Sequence, residues 1–332
     1  MTLNLKKTLE IGLSFLLAAI ILWWIYRDFP FSSVGHVLRH DIDWGWMLLS
    51  LLFGIFPQVL RGIRWRQALE PLGERPRYRH CISAVYMSFA ASLVIPRIGE
   101  ISRCATLHKT DGTPFSTALG TVVTERIIDS LLVLLIIGIT FLFEIPAFYR
   151  FFQSIGLNAD SFFSTFSITG IIITIACACA VIAGGLYLAH RLRTAHGIKD
   201  TLARFGKGVA SVRHVRSLPL YLLNTVLIWV CYFLHFYLAF YAFDFTSALG
   251  VHAGLLAFCM ITLAVLVPTP NGAGPWHFAV KVVLLQFGVG MENAILFALI
   301  AHALQTLLVV LLGLYGLLTI SMGKHTKHTQ FQ

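Results

Sequence analysis

The fold follows from one stretch of the chain, residues 116–143, which reads STALGTVVTERIIDSLLVLLIIGITFLF. This run is longer than the roughly 20 apolar residues that a helix needs to cross a bilayer, yet it contains Glu125, Arg126 and Asp129. A charge inside a membrane helix costs about 2.5–3.5 kcal/mol on insertion scales, so such side chains usually face a cavity or a charged partner. The stretch therefore predicts a membrane helix with one polar face.

Composition extends this prediction to the whole chain. Hydrophobic residues occupy 57% of the 332 positions and charged residues 12%, whereas soluble domains carry about 25% charge. The net charge of +10 does not indicate nucleic-acid binding, because the basic residues lie in short loops between apolar runs, as in other membrane proteins. We predict an all-α, polytopic transmembrane helical bundle that forms one integral membrane domain over residues 1–332.

Six apolar runs predict full membrane spans. They cover about 8–26, 44–62, 116–143, 165–190, 219–243 and 293–320. Two shorter apolar pieces each end at a proline followed by a glycine-bearing turn, at Pro96 and at Pro268. Proline removes a backbone donor and disfavours helix in the preceding residue. We therefore predict two broken hairpins, about 80–110 and 251–290, which either dip into the bilayer and return or form two short spans.

Loop charges predict the orientation of the bundle. The two termini and the 61–79 and 190–217 loops hold seventeen Lys and Arg residues, against three in the opposite loops. Cytoplasmic loops carry the excess of positive charge. Both termini are predicted to be cytoplasmic, in the cytoplasmic (inner) membrane.

This topology implies an inverted repeat. Repeat one covers 44–143 and repeat two covers 219–320, with 8–26 as a first span and 165–190 as a linking span. Each repeat consists of a span, a broken hairpin and a span, and the second runs upside down relative to the first. Inverted repeats with interrupted helices in matching positions point to a transporter's binding site, although a chance resemblance of two Pro/Gly-broken segments is the alternative.

The first hairpin tip places Arg97, Glu100 and Arg103 at a spacing of three, on one helical face. Glu100 can pair with either arginine and leave the other free for an anionic ligand. The alternative is a salt-bridge triad that only locks the hairpin.

The acidic residues of 116–143 lie deep in the predicted helix. At about 1.5 Å per residue, Glu125 is some 14 Å and Asp129 some 20 Å from its start. Arg126 can bridge to Asp129, which leaves a surplus negative charge. That charge could neutralise Arg97 or Arg103, take up a proton or meet a cationic head group, or the set could be a buried network that ties the span to the first hairpin.

The second hairpin tip is uncharged and reads Asn271-Gly272-Ala273-Gly274-Pro275. Gly272 and Gly274 let backbone N–H groups approach a ligand, and a helix N-terminus attracts phosphate. A plain turn is the alternative.

Secondary candidates have simpler explanations. Arg61 and Arg64 are predicted to snorkel to the interface beside Trp65. His277 and His302 are predicted to form structural hydrogen bonds, with a proton relay as the alternative. We find no catalytic constellation, metal site or cofactor motif in the sequence, so any transport would use a gradient or run downhill.

Four motifs in this order resemble the lysylphosphatidylglycerol synthase transmembrane (flippase-like) family over roughly residues 8–320. They are Arg64-Trp65, Pro96-Arg97-x-Gly99-Glu100-x-x-Arg103, Glu125-Arg126-x-x-Asp129 and Pro268-x-x-x-Gly272-x-Gly274.

The resemblance implies a membrane region that moves an aminoacylated phospholipid between leaflets, while a separate cytosolic domain makes the lipid. The chain ends at Gln332, so we expect a stand-alone flippase-like protein without synthase activity. Many members carry a glutamate after the second tip, where this chain has Pro275-Trp276-His277. That departure puts the substrate in doubt, though not the fold.

The leading hypothesis is a translocator of membrane lipids, with a lipid-modifying synthase as a candidate partner. Substrate binding is assigned to Arg97, Glu100, Arg103, Glu125, Arg126, Asp129, Gly272 and Gly274. Alternatives are a transporter of a small anionic or zwitterionic solute, a membrane-embedded enzyme acting on lipid phosphates, and a non-catalytic subunit of a lipid-synthesis complex.

Overall fold

The computed structural model describes residues 5–96, 98–145, 153 and 199–328, and these residues fold almost entirely as helix. Short turns connect the helices. The helices of nine residues or more are, in chain order, α1 (Leu5–Tyr26), α2 (Ser32–His40), α3 (Trp44–Leu69), α4 (Tyr78–Val94), α5 (Gly99–Asp111), α6 (Phe115–Phe143), α7 (Lys199–Ala210), α8 (Leu218–Leu238), α9 (Val251–Ala264), α10 (Pro275–Gln286) and α11 (Met291–His328).

Four of the described helical segments are long and apolar enough to cross a membrane. They are Trp44–Leu72, Phe115–Phe143, Leu218–Ala242 and Met291–Met322. The first predicted span is helix α1, and the predicted linking span 165–190 lies outside the described residues. The all-α membrane bundle predicted from the sequence is confirmed, while the number of spans and the division into repeats stay predictions.

The first hairpin breaks where proline requires it. Helix α4 ends at Val94, and Ile95 is extended at φ −125° and ψ 113°, as expected for a residue before proline. Helix α5 then begins at Gly99. A Cβ atom at Gly99 would lie 2.5 Å from the Ser88 carbonyl oxygen, so this glycine allows the two limbs to close.

The second hairpin turns through left-handed backbone. Asn271, Gly272 and Gly274 have φ values of 53°, 71° and 91°, and α10 then begins at Pro275. Glycine adopts such angles without steric cost, and proline suits the first position of a helix because its missing N–H would be unpaired there. Both predicted broken hairpins are therefore present.

The two hairpins pack reciprocally. Helix α3 packs along α8 in the middle of the bundle, α4 of the first hairpin packs against α11, and α9 of the second hairpin contacts α6. Each hairpin thus touches the last span of the other predicted repeat. Two inverted copies around a shared axis would produce this pattern.

Two helices lie in segments that the sequence analysis treated as loops. Helix α2 follows α1, and α7 packs against α6 through paired glycines. A Cβ atom at Gly120 would lie 2.3 Å from the Phe205 carbonyl oxygen, and one at Gly208 would lie 2.6 Å from the Thr117 carbonyl oxygen. Helix α7 therefore packs closely against the part of α6 that precedes Glu125.

Candidate functional site: a buried arginine cluster beside a cavity

Helix α6 places two carboxylates inside the bundle. Glu125 and Asp129 are four residues apart, so they lie on one face of the helix. Their residues are 1% and 3% exposed. Ionised carboxylates at this burial require partners, because an unpaired buried charge is very costly.

Helix α3 supplies the two closest partners. Arg64 lies 2.7 Å from Glu125 Oε1 and 2.6 Å from Asp129 Oδ1, while Arg61 lies 2.9 Å from Asp129 Oδ2 and 3.3 Å from Glu125 Oε1. Both arginines are surrounded by protein: Arg61 is 3% exposed and Arg64 is 0% exposed. The prediction that they snorkel to the interface is wrong. In the sequence these arginines stand near the end of an apolar run. Their position along the chain does not reveal that α6 places two carboxylates beside them.

The first hairpin and α6 add two further arginines. Arg103 Nη1 of α5 lies 3.1 Å from Glu125 Oε2, and Arg126 Nη2 lies 3.2 Å from Asp129 Oδ2. Arg103 is buried, whereas the Arg126 side chain is 40% exposed. We call Arg61, Arg64, Arg103, Glu125, Arg126 and Asp129 the arginine cluster.

Neutral side chains hold the cluster in place. Trp65 Nε1 donates to Thr121 Oγ1 at 3.0 Å, and the indole lies under the Arg103 guanidinium at 4.9 Å. Arg64 Nη1 donates to Thr225 Oγ1 of α8 at 2.9 Å. Trp65 was predicted to lie at the interface. It is instead buried and supports the cluster.

The cluster is electrically unbalanced. Its four guanidinium groups face two carboxylates, and arginine stays protonated in proteins, so two positive charges are in excess within the described residues. The sequence predicted a surplus of negative charge on α6, and the arginines of α3 reverse its sign. Both Nη atoms of Arg103 are buried; Nη1 is held in the ion pair with Glu125, whereas Nη2 has no hydrogen-bond partner in the described part of the chain.

A cavity of about 80 Å³ opens beside these nitrogens. It exceeds the roughly 10–15 Å³ that one water molecule requires. We call it the arginine cavity, and it is lined by Arg61, Ser88, Phe89, Ser92, Gly99, Glu100, Arg103 and Arg126. Its lining combines three guanidinium groups, which suit phosphate oxygens, with two serine hydroxyls and the Glu100 carboxylate.

Glu100 lines this cavity but pairs with no described residue. Arg103 contacts Glu125 instead, and it forms no ion pair with Glu100. The third member of the predicted triad, Arg97, lies outside the described residues. The structure therefore brings Glu100, Arg103, Glu125, Arg126 and Asp129 together with Arg61 and Arg64.

The second hairpin tip does not line the arginine cavity. The N–H groups of Gly272 and Ala273 bond to carbonyl oxygens within the turn, and that of Gly274 donates to His277 Nδ1 at 3.3 Å. A Cβ atom at Gly274 would lie 3.0 Å from Ile21 of α1. The expectation that Gly272 and Gly274 offer free N–H groups to a phosphate is wrong, because the turn uses these donors itself.

The two histidines brace this tip. The rings of His277 and His302 are 4.4 Å apart, and His302 Nε2 lies 3.2 Å from the Asn271 carbonyl oxygen. Asn271 Nδ2 also donates to Thr306 Oγ1 at 2.8 Å. These contacts agree with the structural role predicted for both histidines.

These features define an integral membrane protein with a buried, positively charged pocket near the break of a helical hairpin. A profile of the family described as Lysylphosphatidylglycerol synthase TM region matches residues 11–313. The chain belongs to this family, as its motifs predicted.

A curated relative is similar over part of the chain. Glycosyltransferase AglD of Haloferax volcanii is 28% identical over 135 residues, which are 40% of this chain and 21% of AglD. The match thus spans about a fifth of the relative's length.

Proposed function

We propose that this chain moves a phospholipid between the leaflets of a membrane, by binding the phosphate of the head group in the arginine cavity. The observation that carries the proposal is Arg103, a buried guanidinium whose Nη1 atom faces Glu125 while its Nη2 donors lack hydrogen-bond partners in the described chain. Leaving such donors unmet costs about 1–3 kcal/mol, and more for a charged group. A bound phosphate would satisfy them.

The position of the cavity suits a ligand that arrives from lipid. Arg126 lines it with a side chain that is 40% exposed, and the next residue on α6, Ile127, is 51% exposed. Leu131 and Leu134 continue this exposed apolar stripe, which in a membrane span faces the acyl chains. A head group could therefore enter beside Arg126 while its tails remain in the bilayer.

The residues then divide into two roles. Arg103 and Arg126 bind the phosphate, while the Ser88 and Ser92 hydroxyls donate to backbone carbonyl oxygens of α4. Glu125 and Asp129 are already held by arginines, so we assign them to orienting those arginines and not to meeting an amine. The substrate is thus anionic or zwitterionic, and an aminoacylated lipid qualifies through its phosphate.

We infer a carrier and not an enzyme, because the Ser88 and Ser92 hydroxyls donate to backbone carbonyl oxygens and form no hydrogen bond with Glu100, so the described cavity holds no nucleophile activated by a general base. The glycosyltransferase similarity covers too little of that relative to transfer its activity. A carrier of a small soluble anion would use the same charges, and a non-catalytic subunit would use none of them. The transport assay distinguishes these three.

We expect Arg103→Gln to slow lipid movement at least about tenfold, the value of one charge-assisted hydrogen bond. The measurement uses the purified chain in liposomes with head-group-labelled phospholipids, followed by chemical quenching of the label in the outer leaflet. Arg213→Gln is the matched control, since Arg213 is exposed and far along the chain from the cluster. It should leave the rate unchanged.

Equal rates for the wild type and both Arg103→Gln and Asp129→Asn would refute the site. Uptake of labelled inorganic phosphate without lipid movement would favour the soluble-anion carrier instead. A wild-type chain inactive in both assays would favour the subunit.

A further inference from the structure

A second, larger cavity lies at the other end of the bundle. It measures about 400 Å³, and its lining includes Trp24, Arg27, Asp28, Phe29, Lys281 and Glu292. We call it the lysine cavity. It forms where α1 ends, α10 passes and α11 begins.

Helix geometry separates the two cavities. The two cavities share no lining residue, and the lysine cavity is lined by Phe29 and Pro30 of the turn that joins α1 to α2. Arg61 of the arginine cavity is 17 residues beyond Trp44, about 26 Å along α3. A single head group therefore cannot occupy both.

Lys281 is the unusual residue of this cavity. It is 8% exposed, and its ammonium lies 4.7 Å from the centre of the Trp24 ring and 5.7 Å from that of Phe278. No carboxylate within 4.0 Å pairs with it in the described chain. Lysine is almost never buried without a partner, and a cation–π contact offsets only part of the lost hydration.

Among the other charged residues that line the cavity, one carboxylate has no ion-pair partner. Arg27 and Asp28 pair with each other at 3.0 Å. Glu292, in the first turn of α11, forms no ion pair with a described residue. The cavity thus presents one unpaired ammonium and one unpaired carboxylate, too far apart to join directly.

We propose that the lysine cavity binds a zwitterionic phosphodiester that carries a primary amine, of the phosphoethanolamine type. Its phosphate meets the Lys281 ammonium, and its ammonium donates hydrogen bonds to the Glu292 carboxylate. A purely anionic head group would leave Glu292 unpaired and repel it. A quaternary amine would reach Glu292 without a hydrogen to donate.

Binding by the purified full chain in detergent tests this inference. The probes are short-chain phosphatidylethanolamine, phosphatidylglycerol and phosphatidylcholine, with dissociation constants measured by native mass spectrometry. We expect the ethanolamine lipid to bind about tenfold more tightly than the other two, the value of one charge-assisted hydrogen bond. Soluble glycerophosphoethanolamine distinguishes the source, because equal affinity would identify a free head group and weaker affinity a lipid.

Two variants assign the preference to this cavity. Glu292→Gln should abolish the preference for the ethanolamine lipid, and Lys281→Met should weaken its binding about tenfold. Arg39→Gln is the control, because Arg39 is exposed on α2 near the same end of the bundle and does not line the cavity. If Lys281→Met fails to fold, Glu292→Gln decides alone.

Equal affinity of the wild type for the three lipids, or a preference that survives Glu292→Gln, would overturn the inference. The assay measures binding and not transport. Its outcome is therefore independent of whether the arginine cavity moves lipid.

Discussion

Replacing Glu125 by glutamine is expected to destabilise the protein by about 3–5 kcal/mol, the usual cost of removing one partner from a buried ion pair. Glu125 contacts Arg61, Arg64, Arg103 and Arg126 within 3.5 Å. Without it, Asp129 alone faces four guanidinium groups. Thermal unfolding of the purified chain in detergent, together with the yield of monodisperse protein, measures the effect.

Two comparisons separate this effect from a general loss of charge. Asp244→Asn removes an exposed carboxylate that has no ion pair among the described residues, and it should unfold like the wild type. The double variant Glu125→Gln, Arg103→Gln should recover part of the loss, because the charge that was left unpaired is also gone. If Glu125→Gln unfolds at the wild-type temperature, the described ion pairs do not hold the bundle together.

Replacing Gly62 by alanine is expected to cost about 1–3 kcal/mol through overpacking. A Cβ atom at this position would lie 2.7 Å from Ile82 Cα and 2.9 Å from Ile82 N. These are backbone atoms of α4, so a change of rotamer cannot relieve the clash and the two helices must separate. Gly62 stands between Arg61 and Arg64, so lipid movement should fall together with the unfolding temperature.

Gly138→Ala is the matched control for this prediction. Gly138 lies within α6, and no heavy atom would stand within 4 Å of an added Cβ atom. Alanine favours helix by up to about 1 kcal/mol over glycine, so this variant should be as stable as the wild type or slightly more stable. A Gly62→Ala protein that matches Gly138→Ala in stability and transport would show that α3 and α4 tolerate separation.

The sequence was sufficient to predict the helical architecture because the bilayer imposes strong rules. A membrane helix must be long and apolar, and Pro96 and Pro268 could break apolar runs only in a few ways. The same cost of buried charge marked Glu125 and Asp129 as members of a polar centre. Local composition carries these signals, so no tertiary information was needed.

The partners within that centre could not be predicted in the same way. Arg61 and Arg64 stand where an interfacial arginine is also common, and their burial depends on the packing of α3 against α6 and α8. The turn at Gly272 likewise resembled an anion site until its N–H groups were found to bond within the turn. Packing between distant helices, which buries Arg61 and Arg64, leaves no trace in spacing along one chain. The hydrogen bonds of the Gly272 turn depend on backbone angles, which residue types alone do not give.

Helix α4 is held at backbone distance on two sides. Gly62 of α3 meets it at Ile82, and two glycines of α11 meet it at Ala90 and Ser83. Side chains that could slide past one another are missing from these seams, so α3, α4 and α11 form a single stiff slab. Gly99 of α5 meets α4 at Ser88 in the same way, so any opening of the arginine cavity falls to α6 and must break the ion pairs that join Glu125 to Arg61, Arg64 and Arg103.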